Sequence, residues 1–457
     1  MILGQTLPRG KAFFALLATT AHQTLFVTRF LLACILHGPR LSAAAVAGAV
    51  RSRPCHRGNV IRFLRHLPAQ VRDDWLEALF GNLLAGEPVK GTWVFILDQT
   101  YCGHNSARMA NGYTTSPRGK RTKKANPKDK RKKRKKQPQS YCHCFVCGLL
   151  LTPSGLRLPV FKSYYTKEYA AQRGWAYRKQ TELAAQLIDG LRVPAGAEVV
   201  VLGDTAFDAE AVLAACKRRH FSWVVSMNGD RVLEGPKPRT KVTALAADWK
   251  AEAFVPVQLT PGQGRYQAQH RCASCRVGRK RKSRTFWVHQ EDLLVQQAGA
   301  VRVLYSTMAE PAAGQAVCVQ KVLMTNDRGR SAADLVDLYD LRWQIELFFK
   351  ECKQNLGLAR YRFGDFDCVE SWVGLCLLAF LYLEWYRVQQ LREGVGGLRE
   401  RQRWLWQRCH GLCLAVRQDV EQQDLLVLLE WIQTPGGLAQ LQDVLRRAVP
   451  KEYRKVA

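Results

Sequence analysis

The sequence lacks the features that would assign it to a membrane or secreted class. No stretch reaches the ~18 uninterrupted apolar residues of a membrane-spanning helix, and the apolar residues 12–36 are interrupted by His22, Gln23 and Arg29. The N-terminus also lacks the ordered regions of a secretory signal peptide. The fifteen cysteines lie mostly in apolar surroundings. We therefore expect a reduced, cytoplasmic protein that does not enter a membrane.

Acidic residues are scarce. The chain has 38 Asp and Glu against 69 Lys and Arg, a formal net charge of +31. Residues 118–136 hold 13 Lys and Arg and one Asp, which gives +12 and leaves 31 − 12 = +19 for the rest. A protein this basic is expected to bind a polyanion, nucleic acid first, although a positive surface without function is the alternative. Lys132, Lys133 and Arg134 are the predicted DNA contacts within this run.

The length of 457 residues and the 47% hydrophobic content indicate a globular chain of several domains or subdomains. Changes in composition and hydrophobic pattern along the sequence predict five regions. They are helical residues 1–88, core residues 89–228 with a basic loop at 103–140, a β-rich insertion at 229–310, further core residues 311–390, and a helical region at 391–457. Within the first region, residues 41–50 and 59–67 resemble a helix-turn-helix, or else form a plain helical packing domain.

Two aspartates each follow an apolar run typical of a buried strand. Asp98 follows WVFIL and Asp204 follows VVVLG. Neighbouring strands bring their carboxyl ends together in a parallel or mixed sheet, and two close carboxylates need shared protons or bound cations. Oxygen ligands without a convincing His or thiolate partner favour Mg²⁺ or Mn²⁺. Taken singly, each aspartate would more often be a cap or turn residue.

One long helix is predicted over 331–357, with Ser331 as its N-cap and Gly357 as its terminator. Four polar side chains share an arc of about 60° on its surface, at 100° per residue: Tyr339, Arg342, Glu346 and Lys353. On the surface of a protein, such a stripe would be an ion-pair ladder. The rest of the helix is so apolar that we expect it to be buried, and buried charges need partners such as a metal ion and phosphates.

The spacing Tyr339-x2-Arg342-x3-Glu346-x6-Lys353 resembles the Tyr-Arg-Glu-Lys signature of bacterial insertion-sequence transposases of the DDE type, in the insertion-sequence-four-like group. The segments LDQT and LGDTAFD around the two aspartates resemble the other motifs of the family, in the same order. The β-rich stretch before the glutamate matches the insertion of that branch. The resemblance covers about residues 90–385.

This resemblance implies an α/β fold, in which a ribonuclease-H-like mixed sheet with flanking helices is interrupted by a β-rich insertion and joined to helical N- and C-terminal regions. It implies that Asp98, Asp204 and Glu346 are catalytic and bind two Mg²⁺ (or Mn²⁺) ions. The activity would be cleavage of DNA at transposon ends and strand transfer into target DNA. A catalytically silent DNA-binding derivative and a metal-dependent nuclease of the same fold are the alternatives.

The resemblance also implies contacts with double-stranded DNA, both the terminal inverted repeats and the target. Tyr339, Arg342 and Lys353 would hold phosphates of the transposon end. Trp287 would stack on a flipped base, or else is a core strand residue. A dimer is expected in the complex with DNA, because two ends must be brought together, and a bacterial cytoplasmic location near the nucleoid is expected.

Two cysteine pairs leave a further alternative open. Cys144 and Cys147 have the spacing of zinc ligands, as do Cys272 and Cys275. The two pairs are far apart in the sequence, and buried free thiols are the other interpretation.

The basic run generates a testable prediction. Replacement of Lys128–Lys136 by neutral residues should flatten the dependence of DNA affinity on salt, because each lost phosphate contact removes about 0.9 from the slope of log K against log salt. Filter binding over a range of KCl concentrations measures this slope. Cleavage at saturating DNA should be unchanged, and its loss would instead place the run within the active site.

Overall fold

Ten strands form one mixed sheet in the part of the chain that the structure describes. The structure is a computed structural model, and it describes residues 7–50, 54–104, 109–115, 140–235, 239–260, 264–270, 283–394, 400–401, 404 and 407–448. The strands are β1 (Thr92–His104), β2 (Tyr113–Thr115), β3 (Ser140–Leu151), β4 (Arg157–Ser163), β5 (Glu198–Gly203), β6 (Ser222–Ser226), β7 (Val255–Leu259), β8 (Arg284–Val295), β9 (Gly299–Thr307) and β10 (Lys321–Thr325).

One half of the sheet is an antiparallel meander followed by parallel strands. β1 pairs antiparallel with β3, and β3 pairs antiparallel with β4. On its other side β1 pairs parallel with β5, which pairs parallel with β6. Apolar, β-branched side chains such as Val199–Val201 fill this half, as expected for strands covered on both faces. The predicted fold class, α/β with a ribonuclease-H-like mixed sheet and flanking helices, is confirmed.

The other half of the sheet is built from the segment between β6 and β10. β10 pairs antiparallel with β6 and with β9, and β8 and β7 continue the sheet outward. This segment has the β-rich character predicted for 229–310, and it extends the core sheet rather than folding apart from it. Trp287 lies in β8, between Pro256 of β7 and Thr307 of β9, and is partly buried. The boundaries of the five predicted regions stay predictions.

Helices flank the sheet. They are α1 (Gly10–Leu17), α2 (Ala21–His37), α3 (Ala43–Ala47), α4 (Arg57–His66), α5 (Ala69–Leu84), α6 (Lys167–Gln172), α7 (Gln180–Asp189), α8 (Glu210–Arg218), α9 (Arg265–Gln269), α10 (Ala332–Asp340), α11 (Trp343–Asn355), α12 (Phe366–Arg392), α13 (Cys409–Gln433) and α14 (Gly437–Ala448). Helix α12 is apolar on most faces and contacts α2, α4 and α5 of the N-terminal region. It is long and apolar enough to cross a membrane, but 89% of its most apolar window is buried within the protein.

Two local predictions are wrong. The sequence predicts Asp208 as the N-cap of the helix that follows β5. The structure instead begins α8 at Glu210, after Ala209, and the Asp208 carboxylate forms a buried ion pair with Arg231 at 2.6 Å. The predicted loop at 103–140 also begins too early, because pairing with β3 carries β1 on to His104. Tyr113–Thr115 and Ser140 are strand residues as well. Lys132, Lys133 and Arg134 lie outside the described residues.

A buried network of ion pairs joins α11 to the elements behind it. Arg157 of β4 contacts Glu351 of α11 at 2.6 Å and Glu384 of α12 at 3.2 Å. Arg408, just before α13, contacts the other oxygen of Glu351 at 3.0 Å and donates to Gln344 of α11 at 3.1 Å. The C-terminal region therefore fixes the position of α11, because buried charges hold one another only in a defined geometry.

The network generates a stability prediction. Arg157→Met should lower the free energy of unfolding by about 3 kcal/mol, because it leaves the Glu351 and Glu384 carboxylates buried with fewer cations. Urea unfolding followed by far-ultraviolet circular dichroism measures the change. The matched control is Arg417→Met, which breaks an exposed ion pair with Glu421 and should cost less than about 0.5 kcal/mol. Equal effects of the two substitutions would contradict a stabilising role for the network.

Candidate active site

Asp98 and Asp204 meet where the parallel ladder of β1 and β5 ends. The last paired residues are Ile96 and Leu202, and each aspartate lies two residues further along its chain. Alternate residues of a strand face the same side, so the two carboxylates leave the ladder on the same face. The prediction that each aspartate ends its strand holds only for Asp204. Asp98 lies within β1, where the backbone stays paired with Cys147 of β3.

The segment that carries Tyr339, Arg342 and Glu346 is two helices rather than the one long helix predicted. α10 ends at Asp340 and α11 begins at Trp343. Between them the backbone tightens, because Arg342 N–H donates to the carbonyl of Tyr339, three residues back, at 3.0 Å. Ser331 caps α10 through Asp334 N–H, as predicted. Gly357, with φ of 71°, follows the end of α11, also as predicted.

Arg342 is the cation that links the carboxylates of the site. Its Nη2 donates to Glu346 Oε1 at 2.7 Å, and its Nη1 lies 3.6 Å from Asp98 Oδ2. The Arg342 and Asp98 side chains are only 16% and 15% exposed, whereas that of Glu346 is 34% exposed. The guanidinium therefore offsets the negative charge of two of the three predicted catalytic residues.

The Asp98 carboxyl is buried close to the other two carboxylates, and this environment raises its pKa. The pKa of Asp98 is raised to about 6 from an ordinary 3.8, chiefly by burial and to a smaller extent by the charges of Asp204 and Glu346. The Gln99 N–H, which donates to Asp98 Oδ1 at 2.7 Å, and the Arg342 guanidinium lower it. The three acids are thus close enough in space to influence one another.

Tyr339 and Lys353 lie on two sides of this cluster. Tyr339 is buried, and burial raises its pKa to about 12, so that it remains a hydrogen-bond donor at neutral pH. Its hydroxyl makes no well-formed hydrogen bond with the part of the chain that the structure describes, although Ser226 and Arg342 are near enough to lower the pKa. Lys353 Nζ donates to the carbonyl of Tyr101 in β1 at 3.0 Å, beyond Asp98.

The donor chemistry of the site fits a divalent cation. The three carboxylates supply hard oxygen ligands, and a cation would offset the charges of Asp204 and Glu346 that raise the pKa of Asp98. Among the described residues, however, no three His, Cys, Asp or Glu side chains are close enough together to hold an ion as they stand. Because the Glu346 carboxylate is bonded to Arg342, it would have to turn from the guanidinium to take part.

Other predicted site residues are not brought to the carboxylates by a described contact. Trp287 packs in the strand-rich half of the sheet, on β8. Cys144 and Cys147 are buried free thiols on β3, while Cys272 and Cys275 lie outside the described residues, so the zinc alternative stays untested.

Lys321 joins the site although no motif pointed to it, because only strand pairing places it there.

The raised pKa of Asp98 generates a stability prediction. Because the folded pKa exceeds that of the unfolded chain, the metal-free protein should lose stability as the pH rises from about 4 to about 6. Asp98→Asn should therefore stabilise the protein at pH 8 in EDTA by about 2–3 kcal/mol, and by nearly nothing at pH 4. Thermal unfolding at the two pH values measures the difference.

The matched control for this prediction is Asp292→Asn. Hydrogen bonding to Arg302 lowers the pKa of that exposed carboxyl, so its removal should give no gain in stability. A wild-type protein that is as stable at pH 8 as Asp98→Asn would contradict the raised pKa of Asp98.

Comparisons with known proteins found a family match and a similar solved structure. Residues 170–382 match the family described as Transposase DDE domain, which is 213 of the 457 residues and includes Asp204 and Glu346. No curated protein matches the chain. A cryo-EM structure of a piggyBac transposase synaptic complex with hairpin DNA aligns with 94% of this chain and 76% of its own, with a TM-score of 0.46 and 8% identity. The family match supports the interpretation of this part of the chain as a DDE transposase domain.

Proposed function

We propose that the chain is a DNA transposase of the bacterial insertion-sequence type that cleaves transposon ends and transfers the strands into target DNA. The observation that carries this proposal is the convergence of Asp98, Asp204 and Glu346 beside Arg342 at one end of the β1–β5 ladder. These residues stand at the positions of the three acids and the arginine in the motifs of DDE transposases with the Tyr-Arg-Glu-Lys signature, which the sequence resembles. The family match over 170–382 supports the same function.

The residues of the site have two proposed roles, metal binding and contact with the DNA backbone. Asp98, Asp204 and Glu346 would hold two Mg²⁺ (or Mn²⁺) ions, whose chemistry is to activate a water or 3′-hydroxyl and to stabilise the leaving oxygen. Arg342 would exchange its hydrogen bond to Glu346 for a DNA phosphate, to which a guanidinium can donate two parallel hydrogen bonds. Lys353 would add a point charge on the Asp98 side, and Tyr339 a neutral donor.

The substrate and the setting follow from the reaction. The net charge of +31 suits a polyanionic partner, which we propose is the double-stranded DNA of the terminal repeats and of the target. Two ends must be joined to one target, so we propose a dimer in the complex with DNA. The proposed location is the bacterial cytoplasm, at the nucleoid.

The test of this function is Glu346→Gln. A DNA fragment that carries the sequences flanking the coding region is incubated with the protein and Mg²⁺, and nicked and joined products are resolved on a denaturing gel. Cleavage should fall at least about 10³-fold, because the loss of a metal ligand removes several kcal/mol of transition-state stabilisation. DNA affinity should change little.

The chain supplies a matched control for this substitution. Glu421 is also bonded to an arginine four residues before it, on the exposed surface of α13, and Glu421→Gln should cleave like the wild type. Full cleavage by Glu346→Gln would refute the assignment of the site. Wild-type protein that binds DNA without cutting it would indicate a silent derivative, and cutting without joining would indicate a nuclease.

A further inference from the structure

Lys321 lies at the same edge of the sheet as the predicted catalytic aspartates. It is the first residue of β10, which runs antiparallel to β6, with Leu323 opposite Ser226. The pairing continues past Ser226, because Met227 N–H donates to the carbonyl of Val322 at 2.9 Å. The start of β10 therefore lies where β6 ends, and β6 is the parallel neighbour of the strand that ends before Asp204.

The Lys321 ammonium has no acidic partner in direct contact. Its Nζ lies 4.3 Å from the centre of the Tyr339 ring, a cation–π contact. Within the described ranges, Lys321 forms no ion pair. The residue as a whole is exposed. Desolvation of the ammonium against protein and the charge of Arg342 lower its pKa, while Asp204 and Asp340 raise it. Lys321 is thus close enough to Arg342 and Asp204 to interact with them electrostatically.

Lys321 and Arg342 share no acidic partner in direct contact within the part of the chain that the structure describes. The charges of Lys321 and Arg342 act on each other. Tyr339 lies close to both of them, and its buried hydroxyl has no well-formed hydrogen bond in the described structure. Among the described residues, Arg342 contacts Glu346 and Asp98, whereas Asp204 and Asp340 act on Lys321 from beyond ion-pair distance. An anion with several oxygens would satisfy both cations, and a phosphodiester has this chemistry.

We propose that Lys321 belongs to a phosphate-binding subsite with Tyr339 and Arg342, on the Asp204 side of the carboxylates, that holds a backbone phosphate of the DNA strand being cut. The subsite rests on the proposed function and adds a residue to it. Lys353, held at Tyr101 on the Asp98 side, provides a cation on the opposite side. The DNA strand would then contact one lysine ammonium group on each side of the scissile bond.

The test measures binding separately from cleavage. Lys321→Gln, Lys321→Arg and the wild type are titrated with a duplex that carries one of the flanking end sequences, in Ca²⁺ and over a range of KCl concentrations. Lys321→Gln should bind about three- to tenfold more weakly and lose about one unit of slope of log K against log salt, since one phosphate contact is lost. Lys321→Arg should restore both quantities.

The matched control is Lys167→Gln. Lys167 is also exposed and lies over a tyrosine ring, with its Nζ 5.3 Å from the centre of Tyr177, but it belongs to α6 beyond the outer strand β4. It should keep the wild-type affinity and slope. Thermal unfolding of all variants should be unchanged, which separates a phosphate contact from a purely structural role.

Three results would overturn the subsite. Lys321→Gln with the wild-type affinity and slope, alongside normal Mg²⁺-dependent cleavage by the wild type, would refute the subsite and leave the proposed function intact. A lowered melting temperature that Lys321→Arg does not restore would show that Lys321 has a structural role only. Wild-type protein that neither binds nor cuts the duplex would remove both the subsite and the proposed function.

Discussion

The site depends on one constraint, the burial of carboxylate groups close to one another at the end of a strand ladder. Asp98 shows it most clearly, because burial and the charges of Asp204 and Glu346 raise its pKa to about 6. Such an arrangement is unfavourable unless a positive charge offsets it. In the structure Arg342 provides part of that charge. The same guanidinium is a phosphate ligand by its chemistry, so metal and DNA binding would each change what Arg342 contacts.

The rest of the fold holds these charges in place. Behind α11, Arg157 and Arg408 meet Glu351, so the predicted catalytic helix is fixed by a strand of the core and by the C-terminal region together. In front of it, α10 is bound to the segment between β6 and β10, since Tyr266 N–H donates to Asp337 at 2.7 Å. Regions far apart in the sequence therefore converge on one helix pair. Sites built on rigid elements keep their geometry better than sites on loops.

Much of this arrangement could be predicted from local sequence, because its signals are local. Apolar runs marked β1 and β5, and Ser331 and Gly357 marked helix ends, since capping depends on neighbouring residues. The continuation of β1 to His104 could not be predicted, because it depends on pairing with β3. The break of the long helix at Arg342 could not be predicted either, since apolar periodicity continues through it. Lys321 reaches the site through antiparallel pairing alone, which leaves no mark in the sequence.

We propose that the three acids act as one cation site. Electron paramagnetic resonance of Mn²⁺ titrated into the DNA-free protein tests it most directly, because bound and free ions give different signals. The wild type should bind Mn²⁺, and Asp98→Asn, Asp204→Asn and Glu346→Gln should each weaken the binding by more than about tenfold, as expected when a charged ligand is lost. Unchanged Mn²⁺ affinity in all three variants would contradict it.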